Sequence, residues 1–163
     1  SGYLEKYDIW SSYRPEERGV LIAYASIYGN TASAALRLRD MLARRGEKRV
    51  AAVDLARSDI SRAVADAFRY DALVLAAPSY DGAVLPPMAA FLSRLKAKNW
   101  QKRTAAVIEN GSWAPSAGKV MLAALAEMKD VAVLEPMVSI RSAVSEETAT
   151  KLNELADALA ARG

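Results

Sequence analysis

The sequence predicts an α/β fold: a doubly wound, five-stranded parallel sheet in the order 2-1-3-4-5, with helices on both faces. Short apolar, β-branched runs alternate with helical patterns five times along the chain. The first, third and fourth runs are almost continuously apolar, as strands covered on both faces are. At 163 residues the chain has the length of one domain, enough to bury about two-thirds of its unfolded surface. Strict alternation implies right-handed crossovers, and this strand order puts a ligand crevice beyond the carboxyl ends of the central strands.

Residues 1–18 come before the first strand and read as a separate, linker-like segment. Tyr3, Tyr7, Trp10 and Tyr13 recur every three or four residues, which on a helix makes one stripe. A flexible linker is poor in aromatics. The stripe is therefore expected to pack on this domain, on a neighbouring domain or on a second copy of the chain. Left exposed it would drive self-association, so a homo-oligomer is expected.

The main domain occupies residues 19–163. Strand one is Val20–Ala25, and helix one, Thr31–Arg45, stops at Gly46, a residue suited to a helix C-terminus. Strand two is Val50–Leu55, and helix two, Asp59–Arg69, has Ser58 as its expected N-cap. Strand three is Leu73–Ala77. In helix three, Pro87–Lys98, Met88, Phe91, Leu92 and Leu95 share a stripe. Strand four is Thr104–Glu109, and helix four, Ser116–Lys129, aligns Ala117, Met121, Ala124, Leu125 and Met128. Strand five is Val131–Val138. Helix five, Glu146–Ala161, follows Ser145, carries two acids in its first turn and buries Leu152, Leu155, Ala156 and Leu159.

Composition narrows the chemistry. The chain has neither Cys nor His, which excludes thiol nucleophiles, imidazole bases, Cys/His zinc sites and a Ser-His-Asp triad. No apolar stretch approaches the ~20 residues of a membrane span and no signal-peptide pattern opens the chain, so a cytoplasmic protein without a membrane partner is expected. Net charge is +3 with a pI near 9.2, yet Lys and Arg are scattered among acids with no aromatic-interleaved basic run. A nucleic-acid partner is not expected. Chemistry must come from hydroxyls, carboxylates, amines or a bound cofactor.

Three loops converge at the expected crevice: "SIYGNT" (26–31), "PSYDGAVLPP" (78–87) and "NGSWAPSAG" (110–118). The first offers the hydroxyls of Ser26 and Thr31, the amide of Asn30 and a glycine, Gly29, then opens a helix whose free N–H groups favour an anion. It lacks the lysine of a P-loop and the three glycines of a dinucleotide loop, which suits a phosphate monoester. Serving only as a helix-capping turn, with Asn30 or Thr31 as cap, is the plainer alternative. Tyr80 in the second loop and Trp113 in the third are aromatics that would hold a flat ring. A phosphate at one end, a flat ring at the other and no protein acid–base pair together fit FMN.

The combination "YASIYGNTA … APSYDGAVLPPMAAFL … ENGSWAPSAGKVM" resembles the carboxy-terminal flavodoxin domain of flavodiiron proteins, in order and without large insertion over residues 20–160. The leading "KYDIWSSYRPEERG" resembles the segment that joins that domain to the family's metallo-β-lactamase-like diiron domain. The resemblance implies a flavodoxin-like fold, FMN as cofactor and electron transfer as the role. It implies that Ser26, Ile27, Tyr28, Gly29, Asn30 and Thr31 hold the FMN phosphate. Pro78, Ser79, Tyr80, Asp81 and Gly82, with Asn110, Gly111, Ser112 and Trp113, would border the ring. Because glycine lowers the cost of an alternative backbone conformation, the Asp81–Gly82 peptide is expected to reorient with the flavin's redox state. In that family, electrons pass from a rubredoxin or a flavin reductase through FMN to a diiron site that reduces dioxygen or nitric oxide. Without His or a diiron domain, this chain is expected to be a redox module of such an enzyme, an excised domain and not the complete reductase. The alternatives are an FMN-dependent NAD(P)H:quinone reductase and a stand-alone flavodoxin carrier, although stand-alone flavodoxins are usually acidic. A phosphoacceptor receiver domain would need acids after strand one and an aspartate ending strand three, where this chain has Ser26 and Pro78.

Overall fold

Five parallel strand tracks form the sheet, described by a computed structural model over residues 12–27, 29–80, 83–111, 117–135, 137–140 and 145–163. Strand β1 (Glu17–Tyr24) pairs with β2 (Val50–Asp54) on one side and β3 (Tyr70–Tyr80) on the other. Strand β3 also pairs with β5 (Arg103–Asn110), whose far edge carries β6 (Val131–Val133) and β7 (Val138–Ile140). The order β2-β1-β3-β5-β6 is the predicted 2-1-3-4-5, the count shifted by a short strand β4 (Ala83–Val84) that runs back antiparallel along β3.

Alternation along the strands builds two cores. Leu21, Leu73, Leu75 and Val107 face helices α2 (Ile60–Arg69), α3 (Pro86–Ala97) and α4 (Ala117–Ala126). Val20, Ile22, Val74 and Ile108 face α1 (Asn30–Arg44) and α5 (Glu146–Ala160). Burial on both faces is why β1, β3 and β5 read as unbroken apolar runs. No helix among the described residues is long and apolar enough to cross a membrane.

The predicted fifth strand, Val131–Val138, is two short pieces instead of one. β6 sits beside Arg103–Ala105 and β7 beside Ile108–Asn110, and between them Leu134 N still donates to Ala105 O at 2.8 Å. The intervening sequence is "LEPM", and a proline has no N–H to give to a ladder. The predicted cap Ser58 is also corrected. Asp59 caps α2, its Oδ1 accepting from Ser61 N at 2.9 Å, because a carboxylate is a strong acceptor for the helix's unpaired N–H groups. The caps at Ser145 and Gly46 are as expected: Ser145 Oγ accepts from Thr148 N, and Gly46 sits at φ 91°.

Two buried arginines tie the amino-terminal end of the sheet. Arg103 donates to the backbone carbonyls of Tyr13, Phe68, Gln101 and Tyr70, joining the chain's entry segment to the end of α2. Burial pulls its pKa down to about 10, with Asp71 opposing only part of that. Arg162 pairs with Asp71 at 2.7 Å and with Glu47 at 2.6 Å. Residues 12–16 are held to the domain: Glu16 N donates to Arg69 O at 2.9 Å and Lys102 Nζ to Ser12 O at 3.2 Å. The rest of the aromatic stripe, Tyr3, Tyr7 and Trp10, lies outside the described residues.

Candidate functional site

The carboxyl ends of β1, β3 and β5 lie side by side. Ala25 N donates to Ala76 O at 3.0 Å as β1 ends, and Pro78 on β3 is in register with Asn110 on β5. This places Ser26, Ile27, Gly29–Thr31, Pro78–Tyr80 and Asn110–Gly111 at one end of the sheet, as the sequence predicts.

Of the first loop, Ser26 Oγ accepts from Gly29 N at 3.0 Å and so folds the turn back on itself. Gly29 adopts φ 88°, a left-handed conformation that L side chains resist, with open space where a Cβ would be. It is the N-cap of α1 and supplies no side-chain cap, so neither Asn30 nor Thr31 serves as the cap. The first bond of the helix described is Ser33 N to Gly29 O at 2.8 Å, and the N–H groups of a helix's first turn have no carbonyl partner within the helix itself. Thr31 is buried, and Asn30 is half-buried.

The second loop is partly strand. β3 runs three residues past the predicted end at Ala77, because pairing with β4 extends the ladder: Ser79 is opposite Val84 and Tyr80 opposite Ala83. Pro78 is buried in the strand, and Ser79 Oγ accepts from Ala117 N at 3.0 Å, capping α4 across the site. In the third loop, Gly111 N donates to Ile140 O at 3.1 Å, which fixes the loop to β7. Tyr28, Asp81, Gly82, Ser112 and Trp113 lie outside the described residues.

Among the described residues, the exposed large hydrophobic side chains are Ile27 (47% exposed), Tyr80 (46%) and Val133. Two of these three stand at this end of the sheet, beside a helix start that lacks a side-chain cap. Together they present N–H donors for an anion and apolar surface for a flat group, which fits an FMN phosphate and ring. A cleft of about 610 Å³ lined by Tyr13, Ser61, Phe68, Arg94 and Arg103 lies at the opposite end of the sheet and takes no part in this arrangement. Sequence reasoning missed Glu109, a buried acid at the end of β5, although a lone carboxylate closing the apolar run "TAAVIE" was a visible signal.

The sequence matches the flavodoxin domain family over residues 21–152. The chain belongs to that family. Its flavodoxin-type fold recurs in the rubredoxin oxygen:oxidoreductase of the anaerobe Desulfovibrio gigas, at TM-score 0.89 and 19% identity over 96% of this chain and 38% of that one. The flavodiiron protein of Giardia intestinalis gives 0.79 at 22% identity, covering 96% of this chain and 40% of that one. Oxidised flavodoxin 1 of Bacillus cereus gives 0.75 at 20% identity, covering 86% and 96%. The chain thus spans about two-fifths of the flavodiiron-type chains. No protein of curated function matches the sequence.

Proposed function

We propose that this flavodoxin domain binds FMN and relays electrons, in the manner of the flavodoxin part of a flavodiiron protein. The observation that carries the reading is the start of α1, without a side-chain cap, set beside the exposed Ile27 and Tyr80 at the carboxyl ends of β1 and β3. Ser26 to Thr31 would hold the phosphate. Pro78 to Gly82 and Asn110 to Trp113 would border the ring, with Trp113 covering one face. Bound FMN supplies the one- and two-electron chemistry that a chain without Cys or His lacks.

The protein's own contribution is to hold and orient. Ser26 keeps the phosphate turn closed through its bond to Gly29 N, and Gly29 lets the backbone approach the anion closely. Ser79 fixes the start of α4 against β3, setting the distance between the two ring-bordering segments. In the assembly suggested by the likeness to flavodiiron proteins, a rubredoxin or a flavin reductase donates the electrons. A diiron metallo-β-lactamase-like domain accepts them, and the aromatic stripe of residues 1–18 would meet that domain or a second copy.

The FMN-reconstituted chain, reduced anaerobically, should pass electrons to a one-electron protein acceptor such as ferricytochrome c in single-turnover mixing. Its NAD(P)H:quinone turnover should be no faster than that of free FMN. Quinone turnover well above the free-flavin rate, without transfer to the cytochrome, would make it a quinone reductase instead.

A further inference from the structure

Glu109 is the last residue but one of β5, its side chain lies on the face covered by α4, and it is 3% exposed. Among the described residues its Oε2 has no hydrogen-bond partner. The first turn of α4 presses directly on the carboxyl: a Cβ at Gly118 would stand 2.5 Å from Oε2 and 2.5 Å from Met137 Sδ. The strands on either side place Ala77 and Ser139 opposite Glu109, neither of them charged. The Ser79 Oγ accepts from Ala117 N, the residue before Gly118. Among the described residues, Lys119 is the charged group that acts on the carboxyl. Burial raises its pKa, and the Gly118 N–H and Lys119 pull the other way without cancelling the rise. A carboxyl so placed is costly to keep charged and easily protonated.

Its position in the sheet is the second observation. Glu109 is in register with Ala77, and the next pair along is Pro78 with Asn110, where both ring-bordering segments begin. Glu109 therefore lies one residue beneath the place where charge would be added. We propose that Glu109 is a redox-linked proton site, which binds a proton from solvent when the flavin above it gains an electron pair. This rests on the FMN reading of the site. A reduced electron-carrier protein, or dithionite in vitro, supplies the electrons and is oxidised. The proton leaves solvent hydronium or water and forms an O–H bond on the Glu109 carboxylate, offsetting the negative charge of the reduced cofactor. Like charge in a poorly solvated site favours the protonated acid further, so protonation and reduction reinforce each other.

The sign follows. The carboxyl binds its proton more tightly in the reduced protein, so the reduction potential rises as pH falls through a window above the ordinary carboxylate range. The test is the midpoint potential of the FMN-loaded wild type and of Glu109→Gln from about pH 5 to about pH 9. Wild type should take up more protons per electron pair than the variant inside that window. The variant's potential should match wild type at the acid end and be less negative at the alkaline end. The reduced-minus-oxidised infrared difference spectrum of the wild type should gain a protonated-carboxyl band. Parallel potential profiles would overturn the proposal. If the variant fails to bind FMN, absence of that band in the wild type overturns it. A wild-type chain that takes up no FMN overturns the FMN reading, and this proposal with it.

Discussion

Replacing Arg162 with alanine should destabilise the fold by about 3–5 kcal/mol, the scale for breaking a buried ion pair from one side. The Arg162 side chain is 2% exposed, and its partners Glu47 and Asp71 come from separate parts of the chain. Asp71 also accepts from Gly19 N at 2.8 Å, and Arg162 donates to Gly19 O at 3.3 Å, so this one guanidinium ties α5's end to β1 and β3. Removing it leaves Glu47, itself 5% exposed, with the half-exposed Arg18 as its partner among the described residues. Arg18→Ala, by contrast, should cost only about 0–1 kcal/mol, as solvent-screened pairs do. Burial pulls the Asp71 pKa up, but the hydrogen bonds from Arg162 and Gly19 N and the Arg162 charge outweigh it and hold it below the ordinary value. A carboxylate depressed in the folded state adds stability above its unfolded pKa and loses it as pH falls through the folded one. Urea unfolding of wild type and variant across the acid range should show that this limb is shallower in Arg162→Ala. A loss below about 1 kcal/mol at neutral pH would show that the network is solvent-screened.

Trp100→Ala should cost a similar amount, about 3–5 kcal/mol, the usual range for truncating a buried aromatic. Among the described residues Trp100 is the largest fully buried side chain, 1% exposed just beyond α3. Its Nε1 donates to Ala67 O at 2.8 Å, satisfying a carbonyl near the end of α2 that the helix itself cannot. Trp100→Phe keeps most of the volume and leaves that carbonyl unpaired, so about 1–3 kcal/mol is expected for it. Thermal unfolding separates the two variants. FMN affinity should be unchanged in both, since Trp100 precedes β5 at the end of the sheet away from the candidate site. A drop in affinity as large as the drop in stability would mean that the two ends are coupled.

The periodic parts of this fold were legible in the sequence for a physical reason. Val20 to Ala23 and Leu73 to Ala77 are buried on both faces, so burial leaves a continuous apolar signature with nothing for polar residues to do. What was illegible depends on partners distant in sequence. Arg162 lies 115 residues from Glu47 and 91 from Asp71, and no local pattern announces either pair. The extension of β3 to Tyr80 needs β4 as a partner, which two residues, Ala83 and Val84, cannot advertise. The choice of Asp59 over Ser58 as cap turned on one residue of register. At the site, the hydroxyls and the glycine of 26–31 were readable because their chemistry is local. Glu109 was hidden by being read as the last residue of an apolar strand.

The central claim is that residues 26–31 form a phosphate cradle at the start of α1. Titrating the flavin-free chain with FMN and with riboflavin, read by flavin fluorescence, tests it most directly. Two or more charge-assisted bonds from the turn to the phosphate, at about 1.5–3 kcal/mol each, predict FMN binding at least about 100-fold tighter than riboflavin. Equal affinity for the two flavins would contradict the cradle, and the account of the site built on it.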